Sequence, residues 1–479
     1  MTTSVPHEFE ALASRVALRR LSNGLRAIVV PRGIAPVASF HTRVDVGSVD
    51  EREGITGIAH MFEHMAFKGS RRIGTKNWEL ERTALEAEEK AYLAWRAARV
   101  AGDAQAPVLR AQFEQAQEEA LALVDSSEYS EAITRAGGVG LNATTSGDST
   151  NYFYSLPSNK LELWAWLESE RFDDPVLREF YKEREVVREE RRMRTDSSPV
   201  GKLVEEALLA AFPNHPYGRP VIGFEADLVR FSRTEAEAFF RRKYSPSNMI
   251  VSIVGRVEPE RAFEAVERYF GRLPAFVPEP SPPEGAPAPP ARRIEVRLAA
   301  QPMLLAMLRR PAGSHPDDPV FHVLSDLLAG GPHARLQKAL VKTGKAVHAQ
   351  AISSFPGRKY SNAFTFLLVP SQGVALEEAE QLLWKELDTI CREGPSAAEL
   401  DAVLQRARTE FLMGLVANAG LARELAEFEA LGGGWHEMFH QVEHIRAITV
   451  DRVRAVANST FVREVCTTTL LTHAEGGQP

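Results

Sequence analysis

Residues 274–290 hold eight prolines in seventeen positions, and no core can be built from them. Such a segment is stiff and extended, so it divides the 479-residue chain into two parts, each long enough for a core of its own. The same order of elements is legible on either side. Before the linker, residues 16–21 and 25–30 flank an Asn23-Gly24 turn and predict a hairpin. A third strand over 39–46 leads into a short helix, and a β-rich run at 249–254, followed by a helix over 259–270, closes the half. After the linker come strands at 294–298 and 303–308, a helix from Asp318-Pro319, and a closing run at 465–472. This order predicts an α+β fold. Two homologous domains, 1–273 and 291–479, would each be a sheet with helices packed on it, joined by 274–290 into a clamshell. Residues 77–130 interrupt the first. Their segments 78–100 and 108–124 are rich in Ala, Leu, Glu, Gln and Arg and are separated by Gly102-Asp103 and Pro107, which predicts an inserted helical hairpin serving packing or a partner.

The short helix of the first half carries His60-Met61-Phe62-Glu63-His64. Thr56 is a plausible cap, 58–67 contains no breaker, and Gly69 stops the run. At 3.6 residues per turn both imidazoles and the Glu63 carboxylate share one face, so the histidines can reach one ion. A catalytic zinc site also needs a third protein ligand, an open position for water and a base beside it. Glu63 stands where that base belongs. Alone, the pentapeptide is equally consistent with two histidines on a solvated face. A third ligand has to come from elsewhere, and 180–194 reads as an unbroken helix in which Glu183 and Glu190 lie two turns apart on one face. Glu190 can bind metal there with Glu183 behind it, although so charged a run also suits a solvated surface.

Further stretches follow in order: Leu141-Asn142-Ala143-Thr144-Thr145-Ser146, His215-Pro216-Tyr217-Gly218, and 244–249. Together with His60 to His64 and Glu183-Arg184-x-x-Val187-x-x-Glu190, they resemble the pitrilysin/insulysin/mitochondrial processing peptidase superfamily of zinc metallopeptidases. The resemblance implies that His60, His64 and Glu190 bind Zn2+, that Glu63 is the general base, and that Glu183 supports the site. It implies that substrate adds as a strand at an edge near Asn142 and Ala143, where backbone pairing gives affinity with little sequence demand. The function implied is a zinc-dependent endopeptidase acting on peptides or unfolded polypeptide segments. Its alternative is a non-catalytic or partner-dependent subunit of a heteromeric processing peptidase. Nitrogen and carboxylate ligands favour zinc over manganese or cobalt. The gap between His64 and Glu190 exceeds the family's usual one by about the length of the inserted hairpin.

Active members of that superfamily often carry an arginine and a tyrosine in the second half that hold substrate. Val341 and Val347 occupy those places here, with Lys342 and His348 nearby. The chain is therefore expected to act as a homodimer or as a heterodimer with a related subunit. Within the chain, the first motif helix aligns with Phe321-His322-Val323-Leu324-Ser325-Asp326, and Lys68-Gly69 with Gly330-Gly331. Serine cannot replace a carboxylate base, which predicts one active site per chain. Near the C-terminus His436-Glu437-Met438-Phe439-His440 and the overlapping His440-Gln441-Val442-Glu443-His444 repeat the metal-binding pattern. Met438, Phe439, Val442 and Ile445 mark a buried stripe instead, and nothing in the remaining residues resembles a third-ligand helix.

A formal charge of −7 gives no electrostatic reason to expect nucleic acid. The two cysteines, Cys391 and Cys466, exclude a disulfide framework and suit a reducing compartment. Residues 1–20 are polar and of mixed charge, and no run approaches the ~20 apolar residues of a membrane helix. A cytoplasmic protein that does not engage membranes is the expectation, a removed signal peptide aside.

Overall fold

A computed structural model of the chain describes residues 6–173, 175–280, 289–431 and 433–473; much of the proline-rich linker lies outside them. Two sheets organise it. The first contains β1 (Ala17–Arg20), β2 (Arg26–Pro31), β3 (Val37–Val44), β4 (Val139–Thr145), β5 (Thr150–Pro157) and β6 (Met249–Gly255) in the order β1-β2-β6-β3-β5-β4. The second contains β7 (Arg292–Leu298), β8 (Met303–Arg310), β9 (Ala346–Phe355), β10 (Asn362–Pro370) and β11 (Thr467–His473) in the order β7-β11-β8-β10-β9. Set β1 aside and the orders superpose strand for strand. In each half the first and last strands pair in parallel, and the remaining neighbours are antiparallel. The repeat read from the sequence is therefore a repeat of topology, and the fold is α+β.

The reasons are local. β6 is apolar and buried along its whole length, as a strand covered on both faces must be. β5 alternates, sending Thr150, Tyr152, Tyr154 and Leu156 inward. Helices Ile58–Met65 and Asp318–Ala329 occupy equivalent positions after β3 and β8, and Gly69 and Gly331 behind them both take a positive φ.

Packing does not stop at the linker. Helix Pro199–Ala211 sets Leu203, Ala207, Leu208 and Ala211 against Leu305, Met307 and Leu471 of the second sheet. In return, helices Asn418–Ala430 and Glu437–Arg446 set Leu421, Leu425, Met438, Phe439 and Val442 on Ile28, Val30, Ile250 and Val254 of the first. A clasp reinforces this exchange. Asp148 accepts hydrogen bonds from the Tyr217 hydroxyl and from the amides of Arg358 (2.6 Å) and Lys359 (3.0 Å), while the Tyr360 amide donates to Tyr217 (3.2 Å).

The inserted segment forms helices Trp78–Ala101 and Ala106–Leu121. Its first helix is bound to the glutamate-bearing helix Phe180–Arg191. Tyr92 and Tyr181 lie with ring centroids 4.1 Å apart, Tyr181 donates to Glu89 (2.6 Å), and Arg184 donates to the Tyr92 hydroxyl (2.6 Å). The hairpin packs behind that helix. Among the described residues no helix is long and apolar enough to cross a membrane.

Candidate metal centre

The motif helix spans Ile58–Met65, two residues shorter than the breaker-free run. Thr56 does not cap it. Its hydroxyl donates to Asp227 (2.6 Å), Gly57 takes the cap position at φ 89°, and the Glu51 carboxylate accepts from the amides of Gly57 and Ala59 (2.8 Å each). A longer acidic side chain reaching back from the preceding loop thus satisfies the orphan amides. Burial of Ile58, Ala59, Met61, Phe62 and Met65 in the core fixes the helix azimuth. His60, Glu63 and His64 are left on the face toward a cavity of about 1280 Å³. On the facing helix, Phe180, Tyr181, Arg184 and Val187 are buried, which turns Glu183 and Glu190 toward the histidines.

Three side chains converge. Glu190 Oε2 lies 3.4 Å from His64 Nε2 and 3.7 Å from His60 Nε2, and the imidazole centroids are 4.9 Å apart. Two ligands bound at about 2.05 Å to a tetrahedral ion sit roughly 3.3 Å apart, so the donor set fits zinc. Among the described residues no other His/Cys/Asp/Glu group converges in this way. Electrostatics agree. Although burial opposes it, the carboxylates of Glu183 and Glu190 lift the His64 imidazole to about 9, the signature of a place that attracts positive charge. His60, more deeply buried and beside His64, is pushed down instead and stays a neutral donor.

Behind the ligands, Glu183 Oε2 faces His64 Nδ1 at 3.4 Å, and Lys68 Nζ donates to Glu183 (2.5 Å) and Glu179 (2.9 Å). Burial works against ionisation of Glu183, but its bonds to His64 and Lys68 hold it down at about 2. Lys68 is fixed in turn by Arg178, whose fully buried guanidinium binds the carbonyls of Lys68 (2.5 Å), Ser70 (2.7 Å) and Ile73 (2.8 Å) and the carboxylate of Glu81 (2.7 Å) on the inserted hairpin. The turn is tight enough to need Gly69: a Cβ there would meet the Ile73 carbonyl oxygen at 2.3 Å. Sequence reasoning missed Glu51 and Arg178, which carry no spacing signature, and Lys68 and Glu179, which were findable one turn after His64 and one turn before Glu183. It also missed Arg194, which bonds Glu190 Oε1 at 2.6 Å and was findable as the i+4 neighbour of a ligand.

Glu63 borders the cavity against Thr145, and burial raises its pKa, with Thr145 and His64 opposing. Thr145, Ala143 and Asn142 belong to β4, the edge of the first sheet. The free edge is not wholly idle, since the Ala143 amide donates to the Asn142 side chain (2.9 Å). Val186, Met193, Val200 and Val204 form an apolar wall opposite. From the second half only Phe355 and Pro356 line the cavity among the described residues. Val341, Lys342, Val347 and His348 do not reach it.

In the second half His322 Nδ1 meets Ser353 (3.0 Å), Ser325 donates to the Ala351 carbonyl (2.9 Å), and Asp326 pairs with Arg406 (3.3 Å). The C-terminal decoy is equally inert: Met438, Phe439, His440 and Val442 are buried, and His440 pairs locally with Glu443 (3.1 Å).

Two family models match this architecture. One, described as insulinase (peptidase family M16), covers residues 30–96 and 121–224; the other, described as the peptidase M16 inactive domain, covers 230–406. The chain belongs to the M16 peptidase family. The segment left between the first model's two matches, 97–120, is narrower than the insertion read from composition. A zinc protease of Helicobacter pylori, PqqE, is 28% identical over 420 residues, 85% of this chain and 82% of that protein. The crystal structure of a protease from Helicobacter pylori superposes with a TM-score of 0.80 at 26% identity, over 95% of this chain and 99% of that one. The β subunit of the mitochondrial processing peptidase of Neurospora crassa is 22% identical over 285 residues, covering 57% of this chain and 47% of that subunit.

Proposed function

We propose that this M16 chain is a zinc-dependent endopeptidase acting on peptides or unfolded polypeptide segments. The observation that carries it is the convergence of His60, His64 and Glu190 at zinc-compatible spacing, with Glu63 on the same helix face and a free sheet edge beside it. Zinc, when bound, polarises the scissile carbonyl and lowers the pKa of water to about 7. The Glu63 carboxylate takes the proton of the attacking water and returns it to the leaving amine nitrogen. β4 holds the substrate backbone as an added strand, the Ala143 amide exchanging its bond to Asn142 for one to substrate. Glu183, clamped by Lys68, orients His64 through Nδ1.

A second reading, a zinc subunit that needs a partner, is favoured by one observation: the second half brings no charged side chain to the cavity among the described residues. That leaves the developing oxyanion without a donor from that side. The relative from Neurospora crassa, a named subunit, is compatible with this reading. The test is to assay the purified chain alone, with measured zinc content, on a mixture of unstructured peptides. Cleavage abolished by Glu63→Gln supports a self-sufficient peptidase. Zinc bound at one per chain without cleavage supports the subunit reading, and no zinc overturns both.

A further inference from the structure

A second cavity, of about 770 Å³, lies on the other face of the same sheet edge. Strand register defines the two faces. Thr42, Tyr152 and Ala143 stand opposite one another across β3, β5 and β4, as do Val44, Thr150 and Thr145; these rows face the core and Glu63. The alternate rows, His41-Phe153-Asn142 and Arg43-Asn151-Thr144, face the other way. There His41 and Phe153 lie with ring planes 7° apart and centroids 5.8 Å apart, making a flat floor. Helix Asn418–Ala430 supplies one wall with Ala419 and Gly420, and Gly140 and Thr144 of β4 supply the other. Both cavities therefore open onto β4 and share Thr144 and Ser146.

Most charges at this cavity are committed. Arg43 is paired with Glu427 and Arg358 with Asp318 (2.8 Å), while Arg423, whose side chain is largely exposed, lies beside Glu424 (2.8 Å). Asp148 is saturated by the clasp. His41 is buried and held down at about 4, so the floor is uncharged at neutral pH. The floor thus offers ring faces between small residues.

A peptide paired along β4 must send successive side chains to opposite faces of the sheet. One set meets the metal cavity; the other leans over Gly140 and Thr144 toward the ring floor, where Phe153 on β5 is the nearer ring and His41 on β3 lies one strand further in. We infer that the cavity between β4–β5 and helix Asn418–Ala430 is a specificity subsite that takes an aromatic side chain from the outward-facing positions of the bound peptide. The inference rests on the proposed strand-addition reading and deepens it. The subsite discriminates substrates without touching the reacting atoms, and it reads residues one or an odd number of positions away from those facing the metal.

Its test separates the two claims. Zinc-loaded Glu63→Gln protein is titrated with an extended Thr/Ala host peptide and with versions carrying one Phe. The expected result is that Phe strengthens binding by about tenfold or more over the host, and that Ala419→Trp, which fills the cavity, and Phe153→Ala, which removes half its floor, each abolish that gain. Host-peptide affinity and zinc content should stay as they were in both variants. With the active chain, mapped cleavage sites should show an aromatic residue at one fixed outward-facing position relative to the cut, and Ala419→Trp should erase the preference. A Phe gain that survives both variants, or no gain at all, overturns the subsite while leaving strand addition standing. Failure of every peptide to bind, host included, overturns strand addition and the subsite with it.

Discussion

β1 aside, the two halves of this chain are the same sheet built twice, and they differ most where a helix follows the second strand of each repeat, β3 or β8. His60, Glu63 and His64 look into a cavity with Glu183 and Glu190 across from them. Their counterparts His322, Ser325 and Asp326 are each occupied by a neighbour of the fold itself. The strand order is kept in both. What the difference teaches is that the architecture does not depend on the site. The first half sustains clustered carboxylates only with extra support: Lys68 on Glu183, Arg178 under Lys68, Arg194 on Glu190, and an inserted helix that buries Glu81 against Arg178. The second half, with its acid paired and its base replaced, has neither an inserted hairpin nor such a scaffold among the described residues.

Glu63→Gln should lower turnover by about 10²–10⁴ while zinc content stays at one per chain, whereas Ser325→Glu should add neither activity nor a second zinc; peptide hydrolysis with metal analysis checks both. Glu183→Ala should weaken zinc affinity by about 10–100-fold with all three ligands intact, measured by competition with a chelating dye. Tyr217→Phe removes the hydroxyl between Asp148 and the Tyr360 amide. It should cost about 1–3 kcal/mol in denaturant unfolding, because two clasp partners lose their bond at once.

A smaller effect separates the halves by pH. Burial raises Glu88, on the inserted hairpin, from 4.5 to about 7, with Arg233 opposing. Its folded pKa is the higher one, so its contribution is fully present below pH 4.5 and is lost as pH rises through 7. Glu88→Gln should therefore raise the melting temperature by a few degrees at pH 8 and change it little at pH 4.5, checked by thermal melts at both. The reverse sign belongs to Glu399 in the second half. Its bonds to Arg335 and Ser396 outweigh burial and hold it at about 2, so its contribution is present above 4.5 and fades as pH falls toward 2. Because this carboxylate is partly exposed, the Glu399→Gln effect should be the smallest of the set.

How much of this was legible in the sequence depended on whether a residue's neighbours were local. The face shared by His60, Glu63 and His64 follows from helix geometry alone, as does that of Glu183 and Glu190. The strands of both halves follow from alternation and turn residues such as Asn23-Gly24. Glu51 was invisible because a carboxylate capping a helix from the preceding loop obeys no fixed spacing; Thr56, which does obey one, bonds to Asp227 instead. Arg178 was invisible because it reaches the Lys68 carbonyl from a distant part of the sequence. The exchange of helices was hidden for another reason. Leu203, Ala207 and Leu208 announce an apolar face, but periodicity does not say which sheet it covers.

That exchange also sets an order of events during synthesis. The outer face of β2 and β6 begins with Ile28 and Val30 and is completed by Ile250 and Val254 about midway along the chain, and its cover is not complete until Val442 has been added. Through most of the synthesis of the second half, the half that carries the candidate metal centre has one bare apolar face, at a stage when sticky surfaces invite misassembly. Completion of the first half therefore waits on residues near the end of the second, and a chain cut short before Val442 would be expected to lose the site by leaving its sheet uncovered.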